Sequence, residues 1–171
     1  MRWWPCPAAR GRIATSAGPV AEATIRALGA TPVPTDLESG SPSIDTKTID
    51  AVETTYSRLS AVLGTNSAYT KHIAETYHSL FLTVILASDS FYGSLSDEDQ
   101  AALRDAAAAA AKVEREDSIA LGEQTKRVLV SEGTSVATLS PSERTNMQKA
   151  TQSIYAQFEA DNGPWARVLT Q

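Results

Sequence analysis

Cysteine is almost missing from this chain. The one thiol, Cys6, has no partner for an internal disulfide and no second cysteine for a C-x-x-C redox or zinc motif. Histidine is nearly as scarce. His72 and His78 flank Glu75, but on one strand the two rings stand about 20 Å apart and cannot share an ion. No apolar run reaches the ~18 residues that a membrane-spanning helix needs. A basic excess is lacking too. Lys and Arg number 15 against 20 Asp and Glu, a net charge of −5, which argues against nucleic acid as a partner. G-x-S-x-G, Walker A and G-x-G-x-x-G motifs are absent, and nothing places a Ser-His-Asp triad, so the sequence points to binding without a cofactor and away from catalysis.

What remains is an ordinary globular composition, 42% hydrophobic and 20% charged, in a chain long enough for a real core. At the start, Trp3 and Trp4 are followed by Pro5 and Pro7, which interrupt the apolar core that a secretory leader requires. Residues 1–10 therefore read as an unordered leader. Residues 11–16 read as an extended piece. Pro19 opens a helix that Gly29 ends, and Ala30 to Pro34 is extended. Residues 36–45 read as loop and 44–50 as a short helix. Ala51 to Tyr56 suits a strand, Leu59 to Leu63 a helix ended by Gly64, and Tyr69 to Tyr77 a second strand. His78 to Leu86 is nearly all apolar, the pattern of a strand buried on both faces.

The strongest signal follows. Ser96 and Asp99 have the form of a capping box, and Asp97, Glu98 and Asp99 set negative charge on the positive end of the helix dipole. Six alanines, Ala106 to Ala111, favour helix with little help from packing. Gly133 is the stop. The predicted helix spans residues 96–132 with its cap residues and is about 50 Å long. Its apolar stripe, Leu103, Ala106, Ala107, Ala110, Val113, Leu121 and Val128, is shallow and does not repeat every 3.5 positions, which excludes a coiled coil. Ser135 to Leu139 reads as a strand. Ser140-Pro141-Ser142-Glu143 is a strong start for a last helix, stopped at Asn162-Gly163-Pro164, and Trp165 to Leu169 is a tail expected to pack. Alternating strands and helices give an α/β class.

Several stretches together resemble the solute-binding proteins of TRAP transporters, the DctP-like family. They are Ala27-Leu28-Gly29-Ala30-Thr31-Pro32-Val33-Pro34, Ile49-Asp50-Ala51-Val52-Glu53, the His78-Ser79 start of the apolar run, the long helix carrying Glu114-Arg115-Glu116, Gly133-Thr134-Ser135-Val136, and Leu139-Ser140-Pro141-Ser142-Glu143-Arg144. The resemblance implies a lobe of a periplasmic-binding-protein-like type II clamshell, residues 11–171, incomplete relative to the two-lobed family. It implies a periplasmic location, a small organic acid such as a C4-dicarboxylate as ligand, and TRAP membrane subunits as partners. The implied ligand-binding positions are Arg12, Ala14, Glu53, Thr54, Tyr56 and His78. Two depart from the family pattern: Ala14 stands where an arginine pairs with a carboxylate, and Thr54 where an asparagine is usual. A carboxylate enclosed in a cleft needs a cation, and alanine supplies no donor. Arg12 shares a strand face with Ala14 and is the candidate replacement. With one jaw and no cation at position 14, the chain is expected to bind such acids weakly or not at all. The reading from another class is a stand-alone interaction module that docks a protein through the long helix.

Overall fold

The computed structural model describes residues 11–35, 48–63 and 70–166. The strands fall into two sheets, each parallel. In the first, β1 (Arg12–Thr15) is central, between β2 (Thr31–Pro34) and β3 (Ala51–Val52). Ala14 lies opposite Val33 on one side and Val52 on the other. Helix α1 (Pro19–Ala27) makes the crossover from β1 to β2. β2 carries Pro32 and Pro34, and a proline cannot donate to a ladder. The N–H groups of Thr31 and Thr35 bond to the carbonyls of Gly11 and Thr15, at 2.9 Å each. The prolines alternate with these donors, so their missing N–H groups fall on the outer edge.

The second sheet pairs β4 (His72–Glu75) with β5 (Ser135–Thr138). Between them run α3 (Asp89–Ser94) and α4 (Asp97–Ser131), a helix of 35 residues. The Ser96 hydroxyl caps α4 by accepting from the Asp99 N–H. Gly133 takes φ +93°, which lets the chain reverse: its N–H bonds to Val130 and that of Thr134 to Leu129. The second half of α4 packs on α2 (Tyr56–Leu63), and the last helix, α5 (Pro141–Asn162), packs on α1. The α5 start is a full capping box between Ser140 and Glu143. Beyond α5 a 3-10 turn, Pro164–Ala166, sets Trp165 edge-on to Phe158 and buries Ala166.

Among the described residues the core is small, with Ala14, Ile25, Ile49, Leu59, Leu129, Leu139 and Ala166 as its buried apolar members. Among the described residues no helix is long and apolar enough to cross a membrane.

Four expectations need correction. Residues 51–56 are not one strand: the ladder ends at Val52, and Tyr56 starts α2. Thr54 and Thr55 separate the two, and hydroxyl residues favour helix starts over helix interiors. Helix α2 therefore begins three residues before Leu59. The strand expected from Tyr69 to Tyr77 is confined to His72–Glu75, because Tyr77 takes a left-handed φ of +47° that turns the chain off the ladder. The stretch His78 to Leu86 forms no strand and is not buried. Leu80 is 81% exposed and Leu86 86% exposed. A strand apolar on both faces needs neighbours on both edges and cover on both faces, and the described residues supply neither. Residues 48–50 are turn and bend, not helix. The remainder of that expected helix, residues 44–47, lies outside the described residues, as do the leader 1–10, the loop 36–45, Gly64, Tyr69 and the tail from 167 on.

Candidate ligand-binding site

The carboxyl ends of β1, β3 and β4 converge on one group of polar side chains. Glu53 follows β3, its N–H bonded to the Ala14 carbonyl at 2.9 Å. That bond turns the carboxylate towards the end of β1, where the Thr15 hydroxyl donates to Oε2. The chain leaving β4 supplies the other partners. His78 Nε2 lies 3.0 Å from Glu53 Oε1, and the Ser79 hydroxyl donates to the same oxygen at 3.3 Å. His78 Nδ1 is 2.6 Å from the Thr76 hydroxyl, so both ring nitrogens are engaged and the imidazole is fixed in orientation. Burial pushes the Glu53 carboxyl up, but the bonds from His78, Thr15 and Ser79 outweigh it and hold the group below its ordinary value. Glu53 is thus an ionised carboxylate tying the first sheet to the segment that leaves the second.

A second polar group sits one turn of chain away. Glu75, the last residue of β4, keeps only 4% of its side chain exposed and accepts from Lys126 Nζ at 2.5 Å. It also accepts from Thr138 at 3.0 Å and from the Tyr56 hydroxyl at 3.2 Å. Burial pushes the Glu75 carboxyl up, but the bonds from Lys126, Thr138 and Tyr56 outweigh it and hold the group below its ordinary value. The Tyr56 hydroxyl moves up, first through burial and then through the adjacent Glu75 charge. Lys126 is held above its ordinary value by its bond to Glu75. Beside this group a cavity of about 380 Å³ opens between α2 and α4, walled by Tyr56, Glu75, Tyr77, Ser118, Gly122 and Lys126.

Of the six positions read from sequence, the structure brings Glu53 and His78 into direct contact. Tyr56 joins the Glu75 group instead. Thr54 is half-buried in the connection from β3 to α2. Ala14 is wholly buried at the centre of the first sheet. Arg12 lies at the opposite end of β1, about 10 Å of strand from Thr15. Its guanidinium forks onto Asp50, Nε to Oδ2 at 3.1 Å and Nη2 to Oδ1 at 3.0 Å. Those bonds and the backbone N–H of Arg12 hold the Asp50 carboxyl at about 2. Thr15, Glu75, Thr76, Ser79, Lys126 and Thr138 were missed. Their only sequence signal is place: each ends a strand, leaves one, or lies on the α4 turn facing β4. Among the described residues no cluster of His, Cys, Asp and Glu is arranged to hold a metal ion.

The family model described as bacterial extracellular solute-binding protein, family 7 (DctP), matches residues 11–161. The chain belongs to this family. Solved structures agree with the assignment. The periplasmic ectoine-binding protein of the TeaABC TRAP transporter of Halomonas elongata superposes with a TM-score of 0.81 at 25% identity, over 94% of this chain and 52% of that one. A TRAP periplasmic solute-binding protein of Xanthobacter autotrophicus, with bound β-D-galacturonate, gives 0.79 at 21% identity, over 92% and 51%. One from Shewanella oneidensis with bound succinate gives 0.65 at 24% identity, over 93% and 52%. The chain therefore spans about half the length of the solved structures it matches, and its fold matches that part of a TRAP-type binding protein. DctP proteins are the solute-binding parts of transporters and not enzymes.

Proposed function

We propose that this DctP chain is the substrate-binding component of a TRAP transporter for organic acids such as C4-dicarboxylates. It works in the periplasm and hands its ligand to membrane subunits. Family membership over residues 11–161, with a fixed polar cluster at the carboxyl ends of β1, β3 and β4, carries the reading. Carboxyl ends of strands are where α/β folds place ligands. Glu53, Thr54 and His78 stand at that edge, and the Tyr56 and Lys126 wall of the cavity adjoins it. The ligand spectrum of relatives is wide, with galacturonate, ectoine and succinate among the solved complexes and binding proteins.

A ligand site encloses most of its ligand, and this stretch supplies part of the wall. Binding by the 171-residue chain alone is accordingly weak. A thermal-shift series with succinate, galacturonate, glucuronate and ectoine tests this. The expected result is stabilisation at millimolar and not at micromolar concentration. No shift at any concentration would remove the solute-binding reading, and micromolar binding by the monomer would remove the weak-binding part of it. Arg12→Ala is the companion variant: if Arg12 replaces the absent arginine at position 14, affinity for the acid falls, and an unchanged affinity leaves Arg12 as the partner of Asp50 alone.

A further inference from the structure

Two local rules are broken at one contact. Tyr77 has a φ of +47°, the only positive φ at a non-glycine position among the described residues. A side chain crowds the backbone in that left-handed region, so the conformation persists only where its surroundings hold it. Across the contact is Arg144, whose guanidinium stands 5.5 Å above the Tyr77 ring. Arg144 lies in the first turn of α5, placed there by the capping box of Ser140 and Glu143. A cation in that turn faces the positive end of the helix dipole, the wrong end for its charge. The two ill-placed residues answer each other, because the face of a phenol ring attracts a cation. Departures from local preference are expected where a residue serves a site, and here two of them meet in space.

The turn at Tyr77 decides where His78 goes. Upstream, Glu75 is anchored by Lys126, Thr138 and Tyr56. A strand continued through Tyr77 would carry His78 onward along the direction of β4. With the turn in place, the Thr76 hydroxyl meets His78 Nδ1 at 2.6 Å and His78 Nε2 reaches Glu53 at 3.0 Å. An ionised carboxylate only accepts, so Nε2 carries the proton and, in the neutral ring, Nδ1 accepts from Thr76. We propose that Arg144 is a positioning residue: by holding the Tyr77 ring it keeps the left-handed turn that aims His78 at Glu53. The bearing of this clamp on solute capture rests on the proposed binding function, whereas the clamp itself is a property of the free chain.

The test is NMR of the histidine rings in the 171-residue chain at neutral pH, with no solute added. His72 and His78 are the only histidines, and His72, exposed on β4, is the internal reference. In the native chain His78 is expected as the Nε2–H tautomer with a slowly exchanging ring proton. Arg144→Ala is expected to speed that exchange about tenfold and to mix the tautomers, while His72 stays as it was. Glycine takes a positive φ without strain, so Tyr77→Gly keeps the turn and the tautomer without the clamp. Adding Arg144→Ala to Tyr77→Gly is then expected to change the exchange by less than about twofold. Three results would each overturn the proposal. One is a His78 ring unchanged by Arg144→Ala. Another is the same change with and without Tyr77→Gly. The third is a loss of amide protection in β1 and β5 as large as that at His78, which would make Arg144 a general support of the fold. None of these readings involves a solute, so a failure of solute binding leaves the test in force.

Discussion

Two carboxylates do most of the electrostatic work, and both lie below their ordinary range. The group of Glu75 is the more enclosed. Replacing it by glutamine removes the charge that Lys126 faces and keeps the shape, so Glu75→Gln is expected to cost about 1–3 kcal/mol in a urea titration. Thr138→Val, which takes away a single neutral donor, costs less. The sign of the pH dependence follows from the direction of the shifts. In the unfolded chain these carboxyls take up protons near 4.5, and in the folded chain at a lower pH. Between the two values the unfolded state holds more protons, so stability is complete above about 4.5 and falls as pH drops through the folded values. Urea midpoints are expected to be flat from pH 7 to 5 and to decline below 4.5, with a shallower decline in Glu75→Gln. Of this chemistry the sequence disclosed Glu53 and His78, because they fall in stretches with family likeness. It could not disclose Lys126, which meets Glu75 across 51 positions of chain.

Element ends were legible wherever a local rule decides them. Ser96, Ser140, Pro19, Gly29 and Gly133 mark boundaries that depend on a few neighbouring residues, and the structure has them there. Strand extents were not, since a ladder is as long as its neighbour permits. Residues 53–55 and 78–86 have strand composition, but no strand among the described residues pairs with them. Two substitutions separate local from tertiary support. Ser140→Ala breaks the capping box of α5 and is expected to cost about 1 kcal/mol, read from the urea midpoint. On α4, Leu129 is 2% exposed and Leu121 46% exposed. Leu129→Ala is expected to cost about 2–5 kcal/mol and Leu121→Ala well under 1. Equal losses would mean that the alanine-rich helix is held along its whole length.

For the molecule as a whole, the α/β class and the family were readable from ordered short motifs, while the division into two sheets was not. Hydrophobic pattern identifies a strand and says nothing of which sheet receives it. The small core has a thermodynamic signature. Because so many apolar side chains among the described residues lie in water, unfolding exposes less new area there than in a compact domain of equal length. Its urea m-value is therefore expected to fall below the length-based value, and a full-sized m-value would contradict the open architecture. The long helix adds a mechanical consequence. Helix α4 is gripped by α2 and by the turn at Gly133 over its second half, while its first half is fastened to α3 through Gln100, which donates to the Tyr92 and Leu95 carbonyls. It is a lever held over half its length: a tilt of about 5° about the middle of α4 swings Asp97 by about 2 Å over the ~25 Å of the first half.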